Sequence, residues 1–164
     1  MTTLTFTLIS EDDFAFFWPT FQTIVQAQET YAIEPGIGFD AAYQLWCKTP
    51  QVSWVVKDDN NQLLGTYYLK ANAAGPGDHI CNCGYMVAPA ARGKGVARAM
   101  CEHSQQQAQA LGFHAMQFNA VVATNDVAVA LWKKLGFSIV GTVPNAFRHG
   151  RLGLVDTYVM YKAL

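Results

Sequence analysis

The chain has 164 residues, with 11 Lys+Arg against 12 Asp+Glu and a formal net charge of −1. That near-neutral balance excludes global attraction to nucleic acid or an anionic membrane, so any anion must be recognised locally. With 51 % hydrophobic and 14 % charged residues, disorder is excluded and the length suits one folded domain over 1–164.

In chain order, Leu4, Phe6 and Leu8 alternate with Thr5 and Thr7 and predict a first strand. Ser10, with Asp13 three residues later, is a capping start for a helix running toward Gln28, which Pro19 is expected to kink or split. Pro35-Gly36-Ile37-Gly38 reads as a loop, and Asp40 as the cap of a second helix ending near Thr49-Pro50. Strands over 52–57 and 63–71 flank Asp58-Asp59-Asn60-Asn61, a hairpin signal. After a loop over 72–78 come a strand over 79–87, a glycine-rich turn, a helix to about Leu111 and a strand over 114–122. A helix capped by Thr124 or Asn125 and two strands, 137–143 and 153–162, complete the series. This order predicts an α/β domain with a mixed sheet, without internal repeat or linker. No apolar run reaches bilayer length and no basic-then-apolar segment opens the sequence, so it reads as cytoplasmic with no membrane partner.

Four cysteines, Cys47, Cys81, Cys83 and Cys101, need explaining. On a strand, His79, Cys81 and Cys83 would project from one face, as in a metal site. No second ligand cluster accompanies them, and cysteine in an apolar strand behaves as a small buried hydrophobe, so no metal is expected.

The turn itself is Arg92-Gly93-Lys94-Gly95-Val96-Ala97, between the apolar strand end at Tyr85, Met86 and Val87 and the next helix. Glycines let backbone approach a ligand, two cations add charge, and the first amides of a helix lack intrahelical acceptors. A phosphate or pyrophosphate suits such a place. The spacing is not G-x-x-x-x-G-K-[S/T], which excludes the magnesium-nucleotide loop. It is not G-x-G-x-x-G with a following acid either, which argues against a dinucleotide fold. An ordinary solvated turn is the alternative.

A second segment, Asn125-Asp126-Val127-Ala128-Val129-Ala130-Leu131-Trp132-Lys133-Lys134-Leu135-Gly136-Phe137, follows about thirty residues on. Together the two resemble the GNAT superfamily of acyl-CoA N-acyltransferases. The turn matches its [Q/R]-x-x-G-x-[G/A] motif, the later run its N-x-x-A-x-x-L-[Y]-x-x-x-G-F segment, and the resemblance covers roughly 52–164. It implies a mixed, centrally splayed β-sheet flanked by helices, with acetyl-CoA as co-substrate. The pantetheine arm would lie along Tyr85, Met86 and Val87 and the diphosphate on Arg92, Gly93, Lys94, Gly95, Val96 and Ala97, with Asn125, Ala128 and Trp132 as further cofactor-binding residues. The implied reaction is direct attack of an amine on the acetyl carbonyl in a ternary complex.

Two positions depart from the family pattern. Many relatives have a glutamate base ahead of the turn where this chain has Asn82, and a tyrosine acid where it has Trp132. An amide is no base and indole no useful acid. Asn82 and Asn119 either face the cleft, positioning substrate or water, or pair with each other in a core. His79-x-x-Asn82-Cys83 with Phe118-Asn119 also resembles fungal acetyltransferases of azetidine-2-carboxylate, which implies substrate contacts at Asn82 and Asn119 and a small amino acid or secondary amine as acceptor. Glu29-Thr30-Tyr31 falls where that family lines the acceptor pocket, with Glu29 as a base or ammonium site and Tyr31 as a wall. His79 is a candidate base through water; His149, between Arg148 and Arg151, reads as solvated. A non-catalytic CoA-binding module and a protein N-acetyltransferase remain the alternatives, and a homodimer is compatible with the class.

Overall fold

The computed structural model describes residues 2–164. Strand β1 (Thr5–Leu8) leads into helix α1 (Glu11–Ala27), whose start is a reciprocal cap. Ser10 Oγ accepts the Asp13 amide and Asp13 Oδ2 accepts the Ser10 amide, each at 3.0 Å. Pro19 neither splits nor ends α1, contrary to expectation. It lies on the exposed side, one turn after exposed Ala15, so the carbonyl that loses its partner can turn to water. Phe14, Phe17, Phe21 and Val25 form the buried face.

The second helix, α2 (Phe39–Tyr43), runs on into a π-helical turn over Gln44–Lys48. Its cap is Gly38 in extended backbone, not Asp40; the Asp40 carboxylate falls in the first turn, where the helix dipole favours it. Strands β2 (Val52–Lys57) and β3 (Leu63–Ala71) follow as a hairpin, its turn held by Asp58 Oδ1, which accepts the amides of Asn60 and Gln62 at 2.9 Å each. Then come β4 (Ile80–Val87), α3 (Val96–Ala110), β5 (Ala115–Val122), α4 (Asp126–Lys134), β6 (Ser138–His149) and β7 (Gly153–Ala163). β6 runs six residues past its expected end. Pro144 and Asn145 do not stop it because β6 is an edge strand and its register shifts between Val143 and Phe147.

All seven strands form one sheet in the order β1-β2-β3-β4-β5-β7-β6. Every neighbouring pair is antiparallel except β4 and β5, which run parallel. That parallel pairing holds only at Ile80–Ala115 and Cys81–Met116, after which the two strands part. The expected mixed, centrally splayed sheet is therefore the fold observed.

Backbone alternation decides what the parting exposes. Ile80 C=O accepts from Asn72 on the β3 side at 2.8 Å, and Ala88 N–H donates to Leu64 C=O at 2.8 Å. His79 C=O, one residue out of step, accepts from His114 on the β5 side at 2.8 Å. The β3–β4 register is unbroken from Ala71–Cys81 to Gly65–Val87, so Cys83, Tyr85 and Val87 turn their N–H and C=O groups away from β3, into the gap. Side chains divide the same way. Cys81, Cys83 and Tyr85 pack with α3 through Met100 and Cys101, whereas Met86 joins the α1–α2 cluster of Phe14, Phe21 and Trp46.

Candidate active site

The gap between β4 and β5 opens a cleft of about 460 Å³ that runs from the start of α3 to the segment between α1 and α2. Its first end is the glycine turn. Gly93 and Gly95 have φ of +74° and +78°, conformations that a side chain would strain, and both stand in open space. Gly95 caps α3 without a side-chain hydrogen bond, and the first intrahelical bond is Ala99 N–H to Gly95 C=O at 3.0 Å. The amides of Val96, Ala97 and Arg98 thus precede the helix's own ladder and face outward as donors. Arg92 and Ala97 line the cleft here; Lys94 is exposed, and the Val96 side chain is buried in the core so that it offers only its amide. The donor set suits a diphosphate.

Further in, Tyr85, Met86 and Val87 form one wall and helix α4 the other. Asn125 is the N-cap of α4, its Oδ1 accepting the Ala128 amide at 3.4 Å, and Asn125, Ala128 and Trp132 share the face that lines the cleft. Trp132 is only 8 % exposed and packs against Tyr85 and Phe118 at centroid distances of 5.2 and 5.1 Å. It is an apolar wall. The Tyr85 phenol is held on the far side by Ser104 Oγ at 2.7 Å, and burial keeps it protonated. Cys83 also borders the cleft, but burial, reinforced by Cys81, pushes its thiol well up, so it is no thiolate nucleophile.

At the other end the two asparagines meet the same space without pairing with each other. Asn82, 6 % exposed, accepts from Tyr68 Oη at 3.1 Å and donates through Nδ2 to Gln117 C=O at 2.9 Å. Exposed Asn119 accepts from Gln117 Nε2 at 3.1 Å and donates to Asn72 Oδ1 at 2.7 Å. Tyr68 gains its position from Gly84, its partner across β3 and β4: a Cβ at 84 would lie 2.5 Å from the Tyr68 ring. Burial, with Cys83 beside it, pushes the Tyr68 phenol up to about 12. Lys70, two residues on along the same face, carries its ammonium 5.3 Å from the Tyr68 ring centre and also lines the cleft.

Tyr31 lines the cleft from the α1–α2 segment, with its hydroxyl on the β4 edge. It accepts the Tyr85 amide at 2.6 Å and donates to the Tyr85 carbonyl. Glu29 and His79 are placed differently from expectation. The Glu29 carboxylate lies outside the cleft lining, 3.0 Å from Arg151 Nε, because the β6–β7 turn docks on the end of α1. Gly150 N–H donates to Gln28 C=O at 2.8 Å in the same contact. His79 is exposed at the start of β4, its ring 5.9 Å from that of His114, and does not line the cleft. His149 is buried, not solvated: its Nδ1 accepts the amides of Arg151 and Leu152 at 3.1 and 3.2 Å. Among the described residues no Asp, Glu or His lines the cleft, and no group of three or more His, Cys, Asp or Glu could hold a metal.

Comparison with known proteins accords with this geometry. The model of the acetyltransferase (GNAT) family matches residues 15–137. This chain belongs to the GNAT acetyltransferase family. It is 37 % identical over 111 residues to the N-acetyltransferase aca1 of Schizosaccharomyces pombe, 67 % of this chain and 53 % of that protein, so it spans about half the length of that curated relative. A GCN5-related N-acetyltransferase from Kribbella flavida superposes with a TM-score of 0.93 at 43 % identity over 98 % of each chain. Spermidine N-acetyltransferase from Vibrio cholerae, solved with CoA and spermine, shares the fold with a TM-score of 0.82 at 22 % identity, covering 98 % of this chain and 95 % of that one.

Trp46, Tyr68 and Lys70, which belong to neither sequence motif, also line the cleft. The signal for Tyr68 was present: two adjacent tyrosines on one strand must face opposite sides, and the glycine opposite the second leaves room for a ring.

Proposed function

We propose that the chain transfers an acetyl group from acetyl-CoA to the amine of a small molecule. The observation that carries this reading is the continuity of one cleft, from uncapped amides and Arg92, past a free strand edge, to an amide-lined end. Bound there, acetyl-CoA would supply an activated acyl thioester. The α3 amides with Arg92 and Lys94 would take its diphosphate, and the edge of β4 from Cys83 to Val87 would pair with the amides of its arm. Asn125, Ala128 and Trp132 would close the other side and exclude water. Holding amine and thioester in attack geometry is worth up to about 7–11 kcal/mol.

With no carboxylate or imidazole in the cleft lining, the amine has to arrive deprotonated or lose its proton to water. Asn82 and Asn119 would orient the acceptor rather than ionise it. With Arg92 taken by the diphosphate, Lys70 is the cation at the acceptor end of a lining without acidic residues, and it favours an acceptor that carries a carboxylate. A small amino acid or proline analogue such as azetidine-2-carboxylate meets that requirement; a polyamine does not.

The same lack of a base supports a second reading, a CoA-binding module without turnover. An acetyl-transfer assay across amino acids, simple amines, polyamines and peptides separates them. Release of free CoA thiol matched by acetylated amino acid supports the enzyme; binding of CoA with no turnover on any acceptor supports the module. Turnover confined to peptides would overturn the small-molecule reading.

A further inference from the structure

The hydroxyl of Tyr31 occupies both backbone groups of Tyr85, and Tyr85 lies at the middle of the free β4 edge. An arm that adds to that edge as a strand would need the same donor and acceptor. Tyr31 has no helix or strand to hold it: it sits in the connection between α1 and α2, resting edge-on against Trp46 at 6.1 Å. The connection is tied down on its N-terminal side by Gly150 to Gln28 and Arg151 to Glu29, and of the residues Thr30 to Ile33 that line the cleft, Tyr31 is the one whose side chain bonds the β4 edge. One phenol thus does for the strand edge what a peptide unit of a ligand would do.

We propose that Tyr31 is a positioning residue that acts as a latch: it closes the Tyr85 edge in the free protein and is displaced by the pantetheine arm of acyl-CoA. This rests on the acetyl-CoA reading of the cleft. Displacement moves the phenol away from β4 while Thr30, Ala32 and Ile33 beside it remain part of the cleft lining. Arrival of the arm therefore rebuilds the acceptor wall. The latch also sets a cost on cofactor affinity, since the Tyr31–Tyr85 bonds must open first.

The test is calorimetric titration of CoA and of adenosine 3′,5′-bisphosphate, which carries no arm, into the wild type and Tyr31→Phe. Tyr31→Phe should bind CoA about three- to tenfold more tightly, the scale of one net hydrogen bond, with its affinity for the bisphosphate unchanged. Unchanged or weaker CoA binding, or equal tightening of both ligands, overturns the latch. Hydrogen exchange on the wild type tests it without a substitution. CoA should raise exchange over 29–33 and lower it over 83–87, whereas the bisphosphate leaves 29–33 unchanged; lowered or unchanged exchange over 29–33 with CoA overturns it. Failure of the wild type to bind CoA at all is a distinct result, which sinks the acetyl-CoA reading itself.

Discussion

The Asn82 side chain donates to the Gln117 carbonyl at 2.9 Å, beyond the last paired residues of β4 and β5. A side-chain amide has taken the place of a ladder bond, so the strands separate without leaving that carbonyl unpaired. Tyr68 fills the other half of the amide at 3.1 Å. Asn82→Leu should therefore cost about 1–3 kcal/mol of stability, because two polar groups lose their partner in a buried place. Asn119→Ala, at an exposed position, should stay within about 0.5 kcal/mol yet raise the acceptor KM. Thermal melts and steady-state kinetics of the two variants check the contrast.

The pH dependence of turnover should follow the acceptor. With no acidic or imidazole side chain lining the cleft, kcat/KM should rise with pH until the acceptor's own amine is deprotonated, about pH 8–10 for ordinary amines. Two acceptors of different amine pKa should give two displaced profiles. A shared inflection near pH 6–7 would reveal an enzyme base.

Gly150 is where the β6–β7 turn touches α1. A Cβ there would lie 2.6 Å from Ala27 C=O, against backbone that cannot rotate aside. Gly150→Ala should lift the turn, costing about 1–3 kcal/mol, and raise the acceptor KM through the Thr30–Ile33 wall while leaving bisphosphate binding intact. Arg151→Ala breaks only an exposed ion pair, with Arg151 73 % and Glu29 40 % exposed, and should cost no more than about 1 kcal/mol. Urea denaturation and calorimetry measure both.

Asp13 links acid stability to the start of α1. Burial opposes its charge, but the hydrogen bonds from Lys57 and from Ser10 prevail and hold the carboxyl below its ordinary 3.8. A carboxylate depressed in the folded state contributes stability above its unfolded value, and the contribution is lost as pH falls through the folded value. Asp13→Asn should thus be less stable than the wild type at pH 7, with the gap closing below about pH 3.8, as urea midpoints at the two ends would show.

The legible part of this molecule was the local part. Arg92 to Ala97 and Asn125 to Trp132 are contiguous runs whose cap residues, glycines and helical spacing announce their geometry, so one end and one wall of the cleft are legible in the sequence. Residues joined across distance are not. Tyr31 meets Tyr85 over 54 positions, and Glu29 meets Arg151 over 122, the latter through a hairpin that continues past Pro144. Glu29 therefore reads from sequence as a base or ammonium site, because Arg151 lies far along the chain, whereas the amides that hold His149 are only two and three residues on, in a turn that exists because β6 continues to His149. Pro19 misled for a simpler reason: its tolerance depends on which face of α1 meets water.

The central claim is that the start of α3 and the free edge of β4 together hold acetyl-CoA. Titration of acetyl-CoA into the wild type and Arg92→Glu addresses it most directly. One site per chain in the wild type, weakened at least about tenfold by the charge reversal at the diphosphate end, is the result predicted. No binding to the wild type, or the same affinity in both proteins, would contradict it.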